Sequence, residues 1–208
     1  RLNAWRAERD EAKVKAALLQ VMSLLDLVAY HREGRGMHRV RELRPAHVYQ
    51  ALPFDVRRSS VGLFMAEVAR KTIREAEAHP ALFDFLYHSF LFLDTAPQPS
   101  LNFHLHFLLR LSAFLGFVPG GDHSRETPFF DLQEGTFVDH LPEHPYSLSA
   151  DKSALLYRLL LAEPDTLDRV PISTAQRRAL LEDLLNFYRL HIEHFPDINA
   201  HRILQEVL

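Results

Sequence analysis

The chain has 208 residues, 24 Lys+Arg against 27 Asp+Glu, a net charge of -3 and no cysteine. A fold of this size buries roughly 70% of its unfolded surface, enough for one large domain or a small one beside a larger one. Without cysteines, disulfides and thiolate metal sites are excluded, and a reducing, cytoplasmic setting fits. No apolar run approaches the ~20 residues of a membrane-spanning helix. The opening RLNAWRAERDEAKVK is too polar for a signal peptide and has no initiator methionine, so the chain is expected either to begin inside a longer sequence or to have lost a mobile front end.

Charge is uneven along the chain. Residues 1–58 hold 12 Lys+Arg and 7 Asp+Glu, whereas residues 59–208 hold 12 and 20. A basic front on an acidic body suggests a polyanion-binding face confined to the first segment. Arg6 to Glu11 reads as a solvated loop, and Lys13 to Gln20, alternating basic and apolar residues, as a strand or its lead-in. Ser23 to Arg44 reads as a β-hairpin. Leu24, Leu25, Leu27, Val28, Ala29 and Tyr30 form an apolar strand, Gly34 and Gly36 permit a tight connection, and Arg39 and Arg41 share a face of the returning strand, with Arg32 and Arg35 at the turn. Arg44-Pro45 should end that strand, and Ala51 to Asp55 reads as a linker.

The period then changes from 2 to 3.6. A helix from about Val56 to Ala78 places Val61, Phe64, Met65, Val68 and Thr72 on one stripe, with Glu67, Arg70, Lys71 and Arg74 opposite. Pro80 to Leu93 and Leu101 to Phe117 are apolar on most sides, which predicts two helices at the centre of a bundle. Pro119-Gly120-Gly121 stops the second of these, and Phe129 to Val138 reads as a small hairpin turning at Glu134-Gly135. Further helices are predicted over about Ala150 to Ala162, from a Ser173/Gln176 capping box to Phe195, and over about Asn199 to Leu208.

Thirteen histidines invite a metal hypothesis, but His104/His106, His140/His144 and His191/His194 lack the tight ligand pairing of zinc sites. No nucleophile elbow or phosphate loop is present, and Asp131, Glu134 and Asp139 read as solvated turn residues rather than positioned acids. No catalytic residue, metal or cofactor is expected. The basic set Lys13, Lys15, Arg32, Arg35, Arg39, Arg41 and Arg44 has two readings: protection of strand edges, with partners in Asp26, Glu33 and Glu42, or phosphate binding. Tyr30, His31 and His38 are available for stacking on unpaired bases, although Tyr30 could equally be core.

Taken in order, LDLVAYHREGRGMHRVRELRP, PFDVRRSSVGLFMAEVARKTIREAE, NFHLHFLLRLSAFLGF, FFDLQEGTF and QRRALLEDLLNFYRLH resemble the RecO family of bacterial DNA repair and recombination mediators, from about Lys13 to Leu208. The resemblance implies an α+β chain: an N-terminal OB-fold β-barrel over 1–50, short of its opening strands here, and a mostly α-helical C-terminal domain over 51–208 with a small β-hairpin insertion. It implies no enzyme but a mediator in the cytoplasm, at the nucleoid. Such a protein binds single- and double-stranded DNA, anneals complementary strands and, with RecR, helps RecA replace single-stranded-DNA-binding protein. Many family members hold zinc with four cysteines in the insertion after the central helix; about Val118 to Tyr146 here has none, so zinc does not carry over. DNA contacts are expected at Lys13, Lys15, Arg32, Arg35, Arg39 and Arg41. The acidic, apolar C-terminal tail of single-stranded-DNA-binding protein is expected at His106, Leu109 and Arg110. The competing reading is a helical protein-interaction scaffold without direct DNA binding; a histidine-dependent hydrolase is a third.

Overall fold

The computed structural model describes residues 16–30, 39–74 and 78–208. The chain divides into two compact units, Arg1–Gln50 and Ala51–Leu208. In the first, a 3₁₀ turn, Ala16–Leu19, leads into strand β1, Leu25–Tyr30, which pairs antiparallel with β2, Arg39–Pro45. Where the sequence suggested a strand before the hairpin, residues 16–19 form this turn instead, because its amides close locally; Lys13 and Lys15 lie outside the described residues. Among the described residues the hairpin is the whole sheet of this unit and no sheet closes into a barrel.

β2 carries a bulge. Ala29 is opposite Val40 but Val28 is opposite Glu42, so Arg41 and Glu42 together face one residue of β1. The extra residue resets the alternation: Val40 and Leu43, three apart, are the half-buried positions, while Arg39, Arg41, Glu42 and Arg44 are exposed. Pro45 remains paired, opposite Leu25, at the end of the strand where its missing donor matters least.

The second unit is a helical bundle with a small sheet, and the whole architecture is α+β. Residues 51–55 are part of this unit rather than a free linker. Leu52 is fully buried, and the Ala51 and Leu52 amides donate to Asp94 Oδ1 at 2.8 and 2.7 Å. Asp55 then caps helix α1, Val56–Thr72, accepting from the Arg57 and Arg58 amides. The Arg58 guanidinium turns inward to the carbonyls of Leu93, Asp94 and Pro97, at the end of helix α2, Pro80–Thr95.

Helix α3, Phe103–Phe114, is the centre of the bundle: every residue from Phe103 to Leu109 is buried, and it packs on α1, on α4 (Ala150–Leu161) and on α5 (Thr174–His191). α2 is not central. Phe83 is 62% exposed and Phe85, Leu86, Tyr87, Leu91 and Phe92 are only half-buried, because α3 already occupies the one position with neighbours on all sides.

After α3, strands β3 (Phe129–Asp131), β4 (Thr136–Val138) and β5 (Ser147–Leu148) form an antiparallel sheet in the order β4-β3-β5. Gly135, with φ +69°, makes the turn that a side chain would strain. Buried Asp131 accepts the Gln133 and Glu134 amides, so its carboxylate builds this turn. The capping box of α5 is formed in both directions, Gln176 amide to Ser173 and Ser173 amide to Gln176. Helix α6, Ala200–Val207, closes the unit against α1.

Candidate functional site

Cross-strand pairing determines what the hairpin presents. Tyr30 is opposite Arg39, Val28 opposite Glu42 and Asp26 opposite Arg44, so these side chains share one face of the pleat. Arg41, inside the bulge, has no cross-strand partner, and its guanidinium lies 3.3 Å from Glu42, beside this group of charges. Leu25, Leu27, Ala29, Val40 and Leu43 belong to the other. Bulging therefore adds Arg44 to the face of Arg39, which a strict two-residue period would not do.

The three guanidinium groups differ electrostatically. Arg44 donates through Nε and Nη2 to Asp26 Oδ2 at 3.1 and 2.8 Å, and Arg41 is held by Glu42. Arg39 has no ion-pair partner among the described residues. All of these groups are exposed, so each pair holds its arginine only weakly and a phosphate can compete for it. Arg32 and Arg35, like Lys13 and Lys15, lie outside the described residues.

The expected partner-tail residues do not meet at a surface. His106 is 5% exposed with Nδ1 3.3 Å from the Leu159 carbonyl, and Leu109 is 1% exposed; only Arg110 is exposed. Burial lowers the pKa of His106, outweighing the opposing Leu159 carbonyl, so the imidazole is neutral where it meets that carbonyl. A helix buried along most of its length offers solvent just one edge, and Arg110 lies on it.

Among the described residues no three His, Asp or Glu side chains are grouped as metal ligands. His104 is buried against Phe64, His144 pairs with Asp131 at 3.2 Å, and His191 stacks on Phe117 while Nε2 lies 2.9 Å from the Leu132 carbonyl. His191 thus anchors the β3–β4 turn to α5. No described helix is long and apolar enough to cross a membrane.

Residues 53–197 match the family described as Recombination protein O C terminal. The chain belongs to the RecO family. It is similar to the DNA repair protein RecO of Christiangramia forsetii, 34% identical over 197 residues that cover 95% of this chain and 81% of the relative. It also resembles that of Bacteroides fragilis, 32% identical over 198 residues, covering 95% and 82%. That of Phocaeicola vulgatus is 31% identical over 197 residues, with 95% and 82% covered. RecO membership assigns the chain to DNA repair and recombination.

Proposed function

We propose that the chain is a recombinational repair mediator that binds single- and double-stranded DNA and anneals complementary strands. With RecR, it would promote RecA loading on DNA coated by single-stranded-DNA-binding protein, in the cytoplasm at the nucleoid. The hairpin is read as part of an OB-fold and the units 1–50 and 51–208 as the DNA-binding and helical domains. One observation carries this reading in a RecO-family chain: the exposed hairpin face on which Arg39 and Arg44 stand together, with Arg41 beside them. Phosphates would engage Arg39 and Arg41, with Lys13, Lys15, Arg32 and Arg35 as further contacts. Neutralising two strands at once lets their bases approach, so annealing needs no covalent step.

The test is charge reversal. Arg39→Glu with Arg41→Glu is expected to weaken single-stranded DNA binding at least tenfold at low salt and to flatten its salt dependence. Unchanged salt-dependent affinity would remove this face from the site. The Arg44–Asp26 and Arg41–Glu42 pairs favour the second reading, an interaction scaffold with a protected strand edge. That reading requires no salt-dependent DNA affinity in the unaltered protein.

For the tail of single-stranded-DNA-binding protein, Arg110 is the accessible cation of the expected set. His106 and Leu109, being buried, would act only by supporting the helix that presents it. Equal binding of a tail peptide to Arg110→Ala would exclude Arg110 from that contact.

A further inference from the structure

Tyr30 is directly opposite Arg39 in the hairpin register. Residues so paired have Cβ atoms roughly 4.5–5.5 Å apart, so the phenol ring and the guanidinium rise side by side. Tyr30 is 54% exposed and has no ring partner among the described residues. Arg39 is the arginine of this face without an ion pair among the described residues, whereas Arg41 and Arg44 are held by Glu42 and Asp26. The uncompensated cation and the open aromatic ring are therefore neighbours, with no carboxylate joined to either.

We infer that Tyr30 and Arg39 together take one nucleotide of single-stranded DNA, the base stacking on the Tyr30 ring and the phosphate on the Arg39 guanidinium, and that Tyr30 makes the hairpin prefer single strands to duplex. The inference rests on the reading of the hairpin as a DNA-binding face and adds a ligand form to it. A nucleotide's base and phosphate are separated by one sugar, a span of the same scale as a cross-strand pair. Arginines neutralise phosphates in either form of DNA. A ring can stack only on a base that is not already stacked within a duplex, so its contribution goes to unpaired strands alone. The adjacent Val28, also exposed on this face, extends the apolar strip on which a base would lie.

The experiment is fluorescence anisotropy of the full chain with a fluorescein-labelled oligo-dT and a hairpin duplex of matched length, across a salt series. Tyr30→Ala and Tyr30→Leu are both expected to weaken oligo-dT binding about tenfold while duplex affinity stays within twofold and both salt slopes are kept. Tyr30→Trp is expected to retain the preference, and its fluorescence to be quenched by oligo-dT more than by duplex. Arg39→Ala is expected to lower the salt slope for both forms by up to about one. Equal losses for both DNA forms in the Ala and Leu variants, or no loss in either, would overturn the stacking role while leaving DNA binding in place. The second result is the one expected if Arg39 instead covers the ring by a cation–π contact. If the unaltered protein bound neither DNA, the reading of the hairpin beneath this inference would fall first.

Discussion

Glu67 in α1 accepts the backbone N–H of Ala200 at 2.7 Å, across 133 residues of sequence, and so caps the first turn of α6 from another helix. The same carboxylate accepts the Asn199 amide and pairs with Lys71 at 2.6 Å, while Lys71 Nζ also donates to the Asp197 carbonyl. Burial alone would raise the Glu67 pKa, but Lys71 and the two amides hold it below its ordinary 4.5. A lowered folded value means that this stabilisation is complete above about pH 4.5 and is lost as pH falls through the folded pKa. Glu67→Ala should destabilise the chain by about 1–3 kcal/mol, since it leaves the Asn199 and Ala200 amides without their acceptor and Lys71 with only the Asp197 carbonyl. Hydrogen exchange should accelerate first in residues 199–207; unchanged protection there would refute the capping role.

Asp94 plays the equivalent part at the front of the helical unit. Its Oδ1 receives the Ala51 and Leu52 amides, and Arg58 grips the carbonyls of the same helix end, so α1, α2 and buried Leu52 are tied at one point. Asp94→Ala leaves two amides without their acceptor, one of them buried, at a cost of about 2–4 kcal/mol. A urea midpoint that did not move would contradict this.

What the sequence made legible was local. The α5 capping box needs residues three apart, the β3–β4 turn needs a glycine at one position, and the α1 stripe needs a period, so Ser173, Gln176, Gly135 and Val61 to Thr72 could be read in isolation. Asp94 and Glu67 could not, because their partners lie 42 to 133 residues away and each looks like an ordinary solvated acid on its helix. The burial of His106 and Leu109 follows from which of two apolar helices takes the centre, a choice that composition leaves open because α2 is as apolar as α3. The hairpin was readable as strands, but Arg44 joined the face of Arg39 through a bulge that no alternation pattern announces.

His104 provides a pH test of the core. Burial, with the nearby Arg177 charge adding to it, lowers its pKa from 6.5 to about 3, and Nδ1 has no hydrogen-bond partner. Between those values the unfolded chain binds a proton that the folded chain does not, so stability falls as pH drops below about 6.5. At about 1.4 kcal/mol per pH unit, this histidine alone removes about 2 kcal/mol between pH 6.5 and pH 5. His104→Leu should flatten that part of the pH–stability curve by a similar amount, its cost at pH 7.5 being limited to the Leu101 carbonyl contact, about 1 kcal/mol. Parallel curves for the two proteins, measured by urea unfolding, would rule this out.

The Asp26–Arg44 pair predicts a gain of function. Asp26 carries one of the two negative charges on the described arginine face and holds Arg44 at 2.8 Å. Asp26→Asn keeps the size of the side chain but removes its charge, so Arg44 can turn to a phosphate and the face gains one positive charge. Single-stranded and duplex DNA should then bind roughly two- to fivefold more tightly at low salt, with salt slopes steeper by up to about 0.7 and 0.9 respectively. Both forms should gain because a freed guanidinium meets phosphate in either, unlike the ring of Tyr30. Folding stability should change by no more than about 1 kcal/mol, the range of an exposed ion pair. Weaker binding in this variant would mean that Asp26 orders Arg44 for the contact rather than competing with DNA for it.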